Sequence, residues 1–368
     1  MTRGASNARP GLALPAAIFT LAVVVLFIAG SAFAASQEAR ASAGALAERL
    51  ALEAAEYGAA AVLRDWDPSW NVTVPVGQTL APVTHTLSSG AASIVRLTRT
   101  SLTTWWVVSD GTAGGTLVRR AARRTVNAVF RLDLPPDAVD AALAVTDSAH
   151  VTGSGAVVGT DSVEVSATCS GLTTLPVAGI ASPDTTRTVA SAGGIVGSPP
   201  LRPDSNIAAR VASLASMLVA DIILPAGSIV TPAPVSTGTA CDTVPASNWG
   251  DPAGGACVAH LPVIRVLGDL TVRGGTGQGF LIAAGDIVFE SGAVFAGLVV
   301  AEDDFVTGAG GGTVMGAVLA GDARRGSGDH TVVGSASLIR RSSCRLRLAR
   351  LAAAPPIRIR ERWWAEFE

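Results

Sequence analysis

The sequence contains no lysine, and all 27 of its basic residues are arginines. Enzymes that form Schiff bases, protein kinases and P-loop nucleotide hydrolases each use a lysine in their chemistry. The absence of lysine therefore argues against these three enzyme classes.

Charged residues are also scarce, and the cysteines and histidines are not spaced as metal ligands. Charged residues make up 15% of the 368 residues and the formal net charge is −2, which gives no positive field to attract a nucleic-acid backbone. The four cysteines and four histidines include no CxxC or HxxxH pair, the spacings typical of zinc sites. We therefore predict no nucleic-acid partner, no metal and no cofactor.

One long apolar run lies near the N-terminus. No charged residue occurs from Pro10 to Gln37, and residues 12–35 are almost all apolar. A helix of this length would be about 36 Å long, enough for the ~30 Å hydrocarbon core of a bilayer. Arg3 and Arg9 precede the run, so the excess of positive charge places the N-terminus in the cytoplasm and the remaining chain outside. The predicted membrane-helix residues include Leu14, Ile18, Leu21, Val24 and Phe27.

The helix is expected to continue beyond the membrane. Residues 36–65 are rich in alanine and lack proline, and Leu46, Leu50, Ala54 and Tyr57 recur at the spacing of helical turns. We predict one continuous helix from about residue 13 to residue 65.

A cleaved signal peptide is the alternative. Ala32-Phe33-Ala34 fits an A-x-A site, so cleavage after Ala34 would release a secreted protein. The strongly helical sequence that follows favours the anchored interpretation.

Two short motifs carry a family resemblance. Residues 9–15 (RPGLALP) and 54–58 (AAEYG) resemble the N-terminal segment of type IV pilin-like proteins of the PilX type. The resemblance implies a short leader cleaved between Gly11 and Leu12. It also implies that the helix is held in the bacterial inner membrane and packs with the helices of other pilin-like subunits in a pilus.

The sequence departs from the family pattern at two positions. Leu12 stands where the family usually has Phe, and Ala16 stands at the fifth mature position, where most pilins carry Glu. A carboxylate at that depth in lipid is costly until it pairs with a neighbouring subunit. Its absence favours a minor subunit that initiates or caps a filament over a major subunit.

The exported body is predicted to be rich in β-structure. Residues 93–97 and 103–108 alternate apolar and polar residues, which is typical of antiparallel strands. Residues 181–260 are dominated by Pro, Ser, Thr, Gly and Ala and are predicted as an irregular connector with a helix within 205–219. A basic patch could contact a partner or anionic lipid, but a solvated strand or helix face is favoured. The patch consists of Arg119, Arg120, Arg123 and Arg124.

A repeat near the C-terminus predicts a β-solenoid over 261–343. Four short apolar segments each end in Gly-Asp or Glu-Asp, at spacings of 17, 17 and 19 residues, with glycine-rich corners between them. Residues 142–147 and 157–161 look like two further rungs, so two sequence-distant pieces could build the solenoid. The repeated aspartates are Asp269, Asp286, Asp303 and Asp322.

These aspartates allow two interpretations. They could bind calcium, or their side chains could accept hydrogen bonds from backbone N–H groups at the corners, which is the favoured interpretation. Residues 275–279 (GTGQG) are interpreted as a corner and not as a phosphate loop, because no helix follows. The four histidines stand in no catalytic motif and are interpreted as structural; they are His85, His150, His260 and His330.

The four cysteines suit an oxidising compartment and allow three pairings. Cys241 and Cys257 enclose a short loop, so we favour a disulfide between them and a second one between Cys169 and Cys344. The C-terminal tail carries Trp363, Trp364 and Phe367, which either anchor a partner or cover the end of the solenoid.

The fold class predicted is α+β: a long N-terminal transmembrane helix followed by a β-rich head with a C-terminal β-solenoid-like region. The predicted function is a non-enzymatic, membrane-anchored minor pilin or pilus-assembly protein, also compatible with a secretion pseudopilus. Its body lies in the periplasm or on a pilus outside the cell, with an unidentified surface or glycan ligand. The alternatives are a secreted β-helical polysaccharide-active enzyme and a surface adhesin. The predicted segments are a leader-like segment at 1–11, the helix at 12–66, a β-rich region at 67–180, the connector at 181–260, the solenoid at 261–343 and a tail at 344–368.

Overall fold

The computed structural model describes residues 13–114, 121–136, 140–161, 169, 176–191, 194–217, 220–321 and 330–359. Several residues singled out above lie outside these ranges. They are the leader-like segment with Gly11, together with Leu12, Arg119, Arg120, Asp322, Trp363, Trp364 and Phe367.

A long helix is followed by a β-rich body, which gives the α+β organisation expected from the sequence. Helix α1 has 52 residues and is therefore about 78 Å long. Its proline, Pro15, lies in the first turn, where the missing N–H has no helical partner to lose. The helices are α1 (Ala13–Arg64), α2 (Trp70–Thr73), α3 (Ile207–Ala215) and α4 (Ser343–Ala352).

The longest strands are β2 to β4 of the antiparallel sheet and β18, β20 and β22 within the repeat, and the other strands have two to five residues. The first group is β1 (Val83–Thr86), β2 (Ala92–Arg99), β3 (Thr104–Ala113), β4 (Ala122–Leu132), β5 (Ala141–Val145), β6 (Ala149–Val151), β7 (Ala156–Val158), β8 (Ala178–Ser182), β9 (Val189–Ala190), β10 (Ile195–Val196) and β11 (Leu201–Pro203). The second group is β12 (Ile222–Leu224), β13 (Ser228–Val230), β14 (Ser236–Thr237), β15 (Ala240–Cys241), β16 (Val263–Val266), β17 (Leu270–Arg273), β18 (Thr276–Ala283), β19 (Ile287–Glu290), β20 (Ala293–Ala301), β21 (Phe305–Thr307), β22 (Gly312–Ala320), β23 (Thr331–Val333), β24 (Leu338–Arg341) and β25 (Pro356–Arg358).

An antiparallel sheet carries the second half of α1. Its strand order is β1-β2-β3-β4-β25, so the last strand of the described chain adds to the edge formed by β4. Residues alternate between buried and outward-facing along β2 and most of β3, as expected for a sheet covered on one face. The buried face packs Val107, Leu97 and Phe130 against Ala59 and Val62 of α1.

Two parallel sheets, which we call the parallel stack, form the rest of the body. One contains eleven strands and the other seven, and successive strands pair in parallel at a constant register. Apolar side chains from both sheets form one core that includes Leu281, Val299, Phe289 and Phe305. The outward face of β18, β20 and β22 is covered by α3 and α4 through a second apolar cluster. The described residues of the region predicted as a solenoid, 261–343, therefore form mainly parallel strands.

Two distant pieces of the chain build the parallel stack. Strands β5, β6 and β7 pair in parallel with β22, β23 and β24, which lie more than 150 residues later in the sequence. This is the arrangement that the two additional rungs indicated.

The observed boundaries differ from those predicted. The parallel strands begin at Ala141, inside the segment predicted as 67–180, and β8 to β13 place strands of the stack within and beside the predicted connector at 181–260. These strands have two to five residues. Segments this short carry too little periodicity to be predicted, because their pairing partners fix their conformation. Helix α3 lies within the stretch 205–219, where a helix was predicted.

A column of three glycines crosses the long strands of the stack. Gly279, Gly297 and Gly316 are paired in register in β18, β20 and β22, and their φ angles are +106°, +146° and +150°. A Cβ atom on Gly297 would lie 2.0 Å from the carbonyl oxygen of Gly279. Glycine is required here both for the backbone conformation and for the close approach of neighbouring strands.

We expect Gly297→Ala to lower the free energy of unfolding by at least about 3 kcal/mol, because it combines a left-handed φ with a backbone clash. Gly308→Ala is the matched control, since its Cβ would meet atoms at ordinary distances of 3.4 Å or more. Thermal unfolding followed by near-UV circular dichroism measures both variants. Equal midpoints for the two variants would contradict the role of the glycine column.

Candidate membrane and filament interface

The first half of α1 exposes a continuous apolar surface. The five predicted membrane-helix residues are 54–75% exposed, and none of the most apolar 18-residue window of the helix is buried against the body. By length and composition the helix can cross a membrane. Its apolar side chains require a cover that the described residues do not supply. The five residues are Leu14, Ile18, Leu21, Val24 and Phe27.

The second half of α1 lies directly against the antiparallel sheet. A Cβ on Gly111 of β3 would lie 2.0 Å from the carbonyl oxygen of Ala51, and one on Gly58 would lie 2.3 Å from Oγ of Ser93. Gly111 leaves room on the sheet for the helix backbone, and Gly58 leaves room on the helix for serine side chains of the sheet, so the helix axis approaches the sheet closely. This close contact orients α1 relative to the β-rich body.

This contact explains the residues of the AAEYG motif. Ala54, Ala55 and Gly58 are buried against the sheet, whereas Glu56 and Tyr57 are exposed. The small residues of the motif thus serve the contact with the sheet, and its larger residues remain on the outer surface of the helix.

Ion pairs surround the helix contact. Arg124 of β4 binds Glu48 of α1 at 2.9 Å, and Arg96 and Arg123 bind Asp110 at 2.7 and 3.0 Å. The two described members of the predicted basic patch, Arg123 and Arg124, are therefore engaged with carboxylates. The side chain of Arg123 is 64% exposed and that of Arg124 is 21% exposed, so the two residues differ in their access to solvent.

Asp110 is held ionised by its partners. Burial alone would raise its pKa, but hydrogen bonds from Thr125, Arg96 and Arg123 outweigh burial and lower the pKa below its ordinary value. The carboxylate thus fastens neighbouring strands β2 and β4 to β3.

The segment that follows α1 is joined to the end of α4 through Asn71. Its side chain is fully buried, and its amide nitrogen donates to the carbonyl oxygens of Leu351 and Ala354 at 2.9 and 3.1 Å. Nε1 of Trp66 donates to the side-chain oxygen of Asn71. This buried amide joins α2 to the end of α4, and nothing in its local sequence indicated the role.

A buried arginine supports the turn between β2 and β3. Arg99 is 1% exposed and donates to the carbonyl oxygens of Val74, Ser101 and Leu102, while its guanidinium lies 5.7 Å from the ring centroid of Trp105. Burial lowers the pKa of Arg99. Sequence reasoning missed this residue because the three acceptors are backbone atoms of irregular segments.

Both disulfides join the pairs that the sequence analysis favoured. Cys241 and Cys257 close a loop within the segment predicted as a connector, 181–260. Cys169 and Cys344 link the middle of the chain to the start of α4. The second bond spans 175 residues of sequence and thereby ties together segments from the two pieces of the stack.

Two aspartates of the repeat, Asp269 and Asp286, accept hydrogen bonds from backbone N–H groups of the next repeat. Oδ1 of Asp269 accepts from the N–H of Asp286, and Oδ1 of Asp286 accepts from the N–H of Asp304, both at 3.1 Å. This is the corner-capping role favoured from the sequence. Carboxylate oxygens of Asp286, Asp303 and Asp304 also lie within 4.8 Å of one another. We assign no metal site on this proximity alone, since Asp286 and Asp304 already accept hydrogen bonds, from the N–H of Asp304 and the hydroxyl of Thr331 respectively.

The histidines and the glycine-rich segment take part in packing contacts. The rings of His150 and His330 are tilted by 41° with their centroids 4.3 Å apart, and His330 shares a hydrogen bond with Ser148. Nε2 of His260 donates to the carbonyl oxygen of Asn248, and burial lowers the pKa of His260. The segment 275–279 opens strand β18, and no helix follows it.

No protein-family model and no curated protein matches the chain. Among solved structures, the crystal structure of the competence-associated pilin ComZ from Thermus thermophilus is similar at a TM-score of 0.21 and 12% sequence identity, covering 87% of this chain and 96% of that one. A TM-score of this size carries no inference about fold or function.

We expect Asp110→Asn to reduce stability at pH 7 by about 1–3 kcal/mol, because the amide cannot serve both arginines as an ionised acceptor. The lowered pKa means that the carboxylate stabilises the fold above the unfolded-state pKa of about 3.9 and loses this contribution as the pH falls below it. The difference from wild type should therefore shrink below about pH 4.

Denaturant unfolding of both proteins between pH 3 and pH 7 measures this effect. Asp133→Asn, at an exposed aspartate, is the matched control and should leave the unfolding midpoint nearly unchanged at pH 7. A difference for Asp110→Asn that stayed constant across the pH range would rule out the ionised pairing.

Proposed function

We propose that the protein is a membrane-anchored minor subunit of a type IV pilus-like filament or pseudopilus, held in the bacterial inner membrane by α1. The observation that carries the proposal is a single helix whose apolar half is entirely exposed and whose other half is seated on a sheet. Such a helix can pass from a bilayer into a bundle of like helices, because each environment covers the same apolar surface. The head would face the periplasm or the outside of the cell.

The continuity of α1 supports an anchor over a cleaved signal peptide. The helix runs without interruption through Ala34 and Ala35, where a signal peptidase would cut. The PilX-type motifs at residues 9–15 and 54–58 add the family resemblance. The small residues of the second motif contact the sheet, and this contact orients α1.

The minor role rests on the N-terminal sequence and on the head. Ala16 removes the carboxylate that would register a subunit against its neighbour in lipid. We further propose that the parallel stack is a β-solenoid, which forms a rigid head without catalytic function and is suited to display at a filament end. The head would add bulk that hinders close lateral packing of many copies.

The anchor can be tested with charge substitutions on α1. We expect the double variant Leu21→Arg with Val24→Arg to lose membrane retention, since each arginine near the bilayer centre costs about 2.5–3.5 kcal/mol. Tyr57→Arg with Ala60→Arg is the matched control. These exposed residues have the same spacing on the same helix but lie in its second half, beyond the proposed membrane span. Alkaline carbonate extraction of bacterial membranes, followed by intact-mass analysis, measures retention and the mature N-terminus.

A mature protein beginning at Leu12 or Met1 and pelleting with membranes agrees with the proposal. A soluble product beginning at Ala35 would contradict it and favour the secreted polysaccharide-active enzyme or adhesin instead. Equal retention of the two double variants would also contradict the position of the membrane span.

The minor-subunit role predicts where the protein lies in a filament. We expect immunogold labelling of sheared filaments to place the protein at one end and at a small fraction of the abundance of the major subunit. An antibody against the major subunit, which should label the whole length, is the control. Uniform labelling by both antibodies would contradict an initiating or capping role.

A further inference from the structure

A cavity of about 540 Å³ lies where α3, α4 and the antiparallel sheet meet. Its walls come from distant parts of the sequence: the β2–β3 turn, the segment after β4, α3, the end of β24 and α4. Cavities of this volume are in the range that binds small ligands.

Arginines from three elements converge on this cavity. Arg210 comes from α3, Arg341 from the end of β24, and Arg347 and Arg350 from α4. Among the described lining residues, Asp140 supplies the one carboxylate, and its side chain is 73% exposed and lies 3.9 Å from Arg202. The described lining therefore carries an excess of positive charge.

Backbone and side-chain contacts fix three of these guanidinium groups. Nε and Nη2 of Arg350 donate to the carbonyl oxygen of Pro135, Nη1 of Arg341 donates to that of Ala141, and Arg210 binds Asp204. Arg341 is 8% exposed, so its charge has been moved out of bulk water. Burial also lowers the pKa of Arg347. Positioned and partly desolvated guanidinium groups bind oxyanions more strongly than mobile surface arginines do.

The remaining lining is apolar or carries hydroxyl groups. Leu102, Leu134, Leu346 and Leu351 supply apolar surface, and Thr103 and Ser343 supply hydroxyl groups. A ligand that combines an oxyanion with a partly apolar body matches this lining better than a bare inorganic ion does.

We propose that this cavity binds a small organic anion bearing a carboxylate or sulfate group, such as an acidic sugar, through Arg210, Arg347 and their neighbouring arginines. The planar guanidinium fork matches the two oxygens of a carboxylate or sulfate, and the leucines contact the carbon skeleton. The site belongs to the head and does not depend on the proposed function of α1.

Isothermal titration calorimetry of the full chain in a non-ionic polyoxyethylene detergent tests the site. The probes are sodium glucuronate, sodium sulfate and neutral glucose at constant ionic strength. We expect saturable binding of glucuronate, binding of sulfate at least threefold weaker, and no binding of glucose. Sulfate binding as tightly as glucuronate would overturn the organic part of the proposal, and absence of saturable glucuronate binding up to 50 mM would overturn all of it.

Substitutions locate the binding. Arg347→Gln should weaken glucuronate binding at least tenfold, whereas Arg340→Gln, at an exposed residue outside the cavity, should change it less than twofold. Arg210→Gln on α3 is the second variant, used if Arg347→Gln lowers the thermal midpoint. Equal weakening by Arg340→Gln, or unchanged binding in both cavity variants, would place the binding elsewhere and refute the proposed site.

Discussion

The backbone of α1 lies against the backbone of β3 at Gly111, and Gly58 of α1 leaves room for the side chains of Ser93 and Ser109; the rest of the architecture depends on this close approach. A helix that is half exposed gains no packing energy along that half, so its orientation must be fixed entirely by its other half. Alanines at 51, 54 and 55 make the contact surface flat, and the ion pair between Glu48 and Arg124 adds a polar contact at its margin. A bulkier side chain on either surface would lift the rod away from the body.

The path of the chain makes the antiparallel sheet and the parallel stack interdependent. The chain leaves the antiparallel sheet after β4, builds one piece of the stack, crosses by α3, builds the other piece and returns through α4 to add β25 beside β4. The two pieces of the stack are joined where β22, β23 and β24 pair with β5, β6 and β7. Since these contacts are far apart in sequence, neither piece of the stack has its full set of strand partners without the other.

Local sequence predicted the elements whose cause is local. The continuous helix follows from composition and 3.6-residue spacing, and the parallel strands of the repeat, with the capping roles of Asp269 and Asp286, follow from a short period in which each segment packs against its sequence neighbours. The short strands β8 to β13 could not be predicted, because segments of two to five residues adopt strand geometry only through neighbours that the sequence does not place beside them. Asn71 and Arg99 escaped detection for a related reason: their partners are carbonyl oxygens, which every residue carries. The arginine-lined cavity combines residues 210 and 341–350, and nothing short of the fold brings them together.

Helix α4 connects the cavity with the segment that follows α1. It contributes Arg347 and Arg350 to the wall of the cavity, and the carbonyl oxygen of Leu351 at its end accepts the hydrogen bond from Asn71, just beyond α1. Arg350 also holds Pro135, which follows β4 of the sheet that carries the rod. Cys344, near the start of the same helix, is bonded to Cys169 and so limits how far α4 can move. The cavity wall and the segment that follows α1 therefore both depend on α4. A change in the position of α4 would alter both of them.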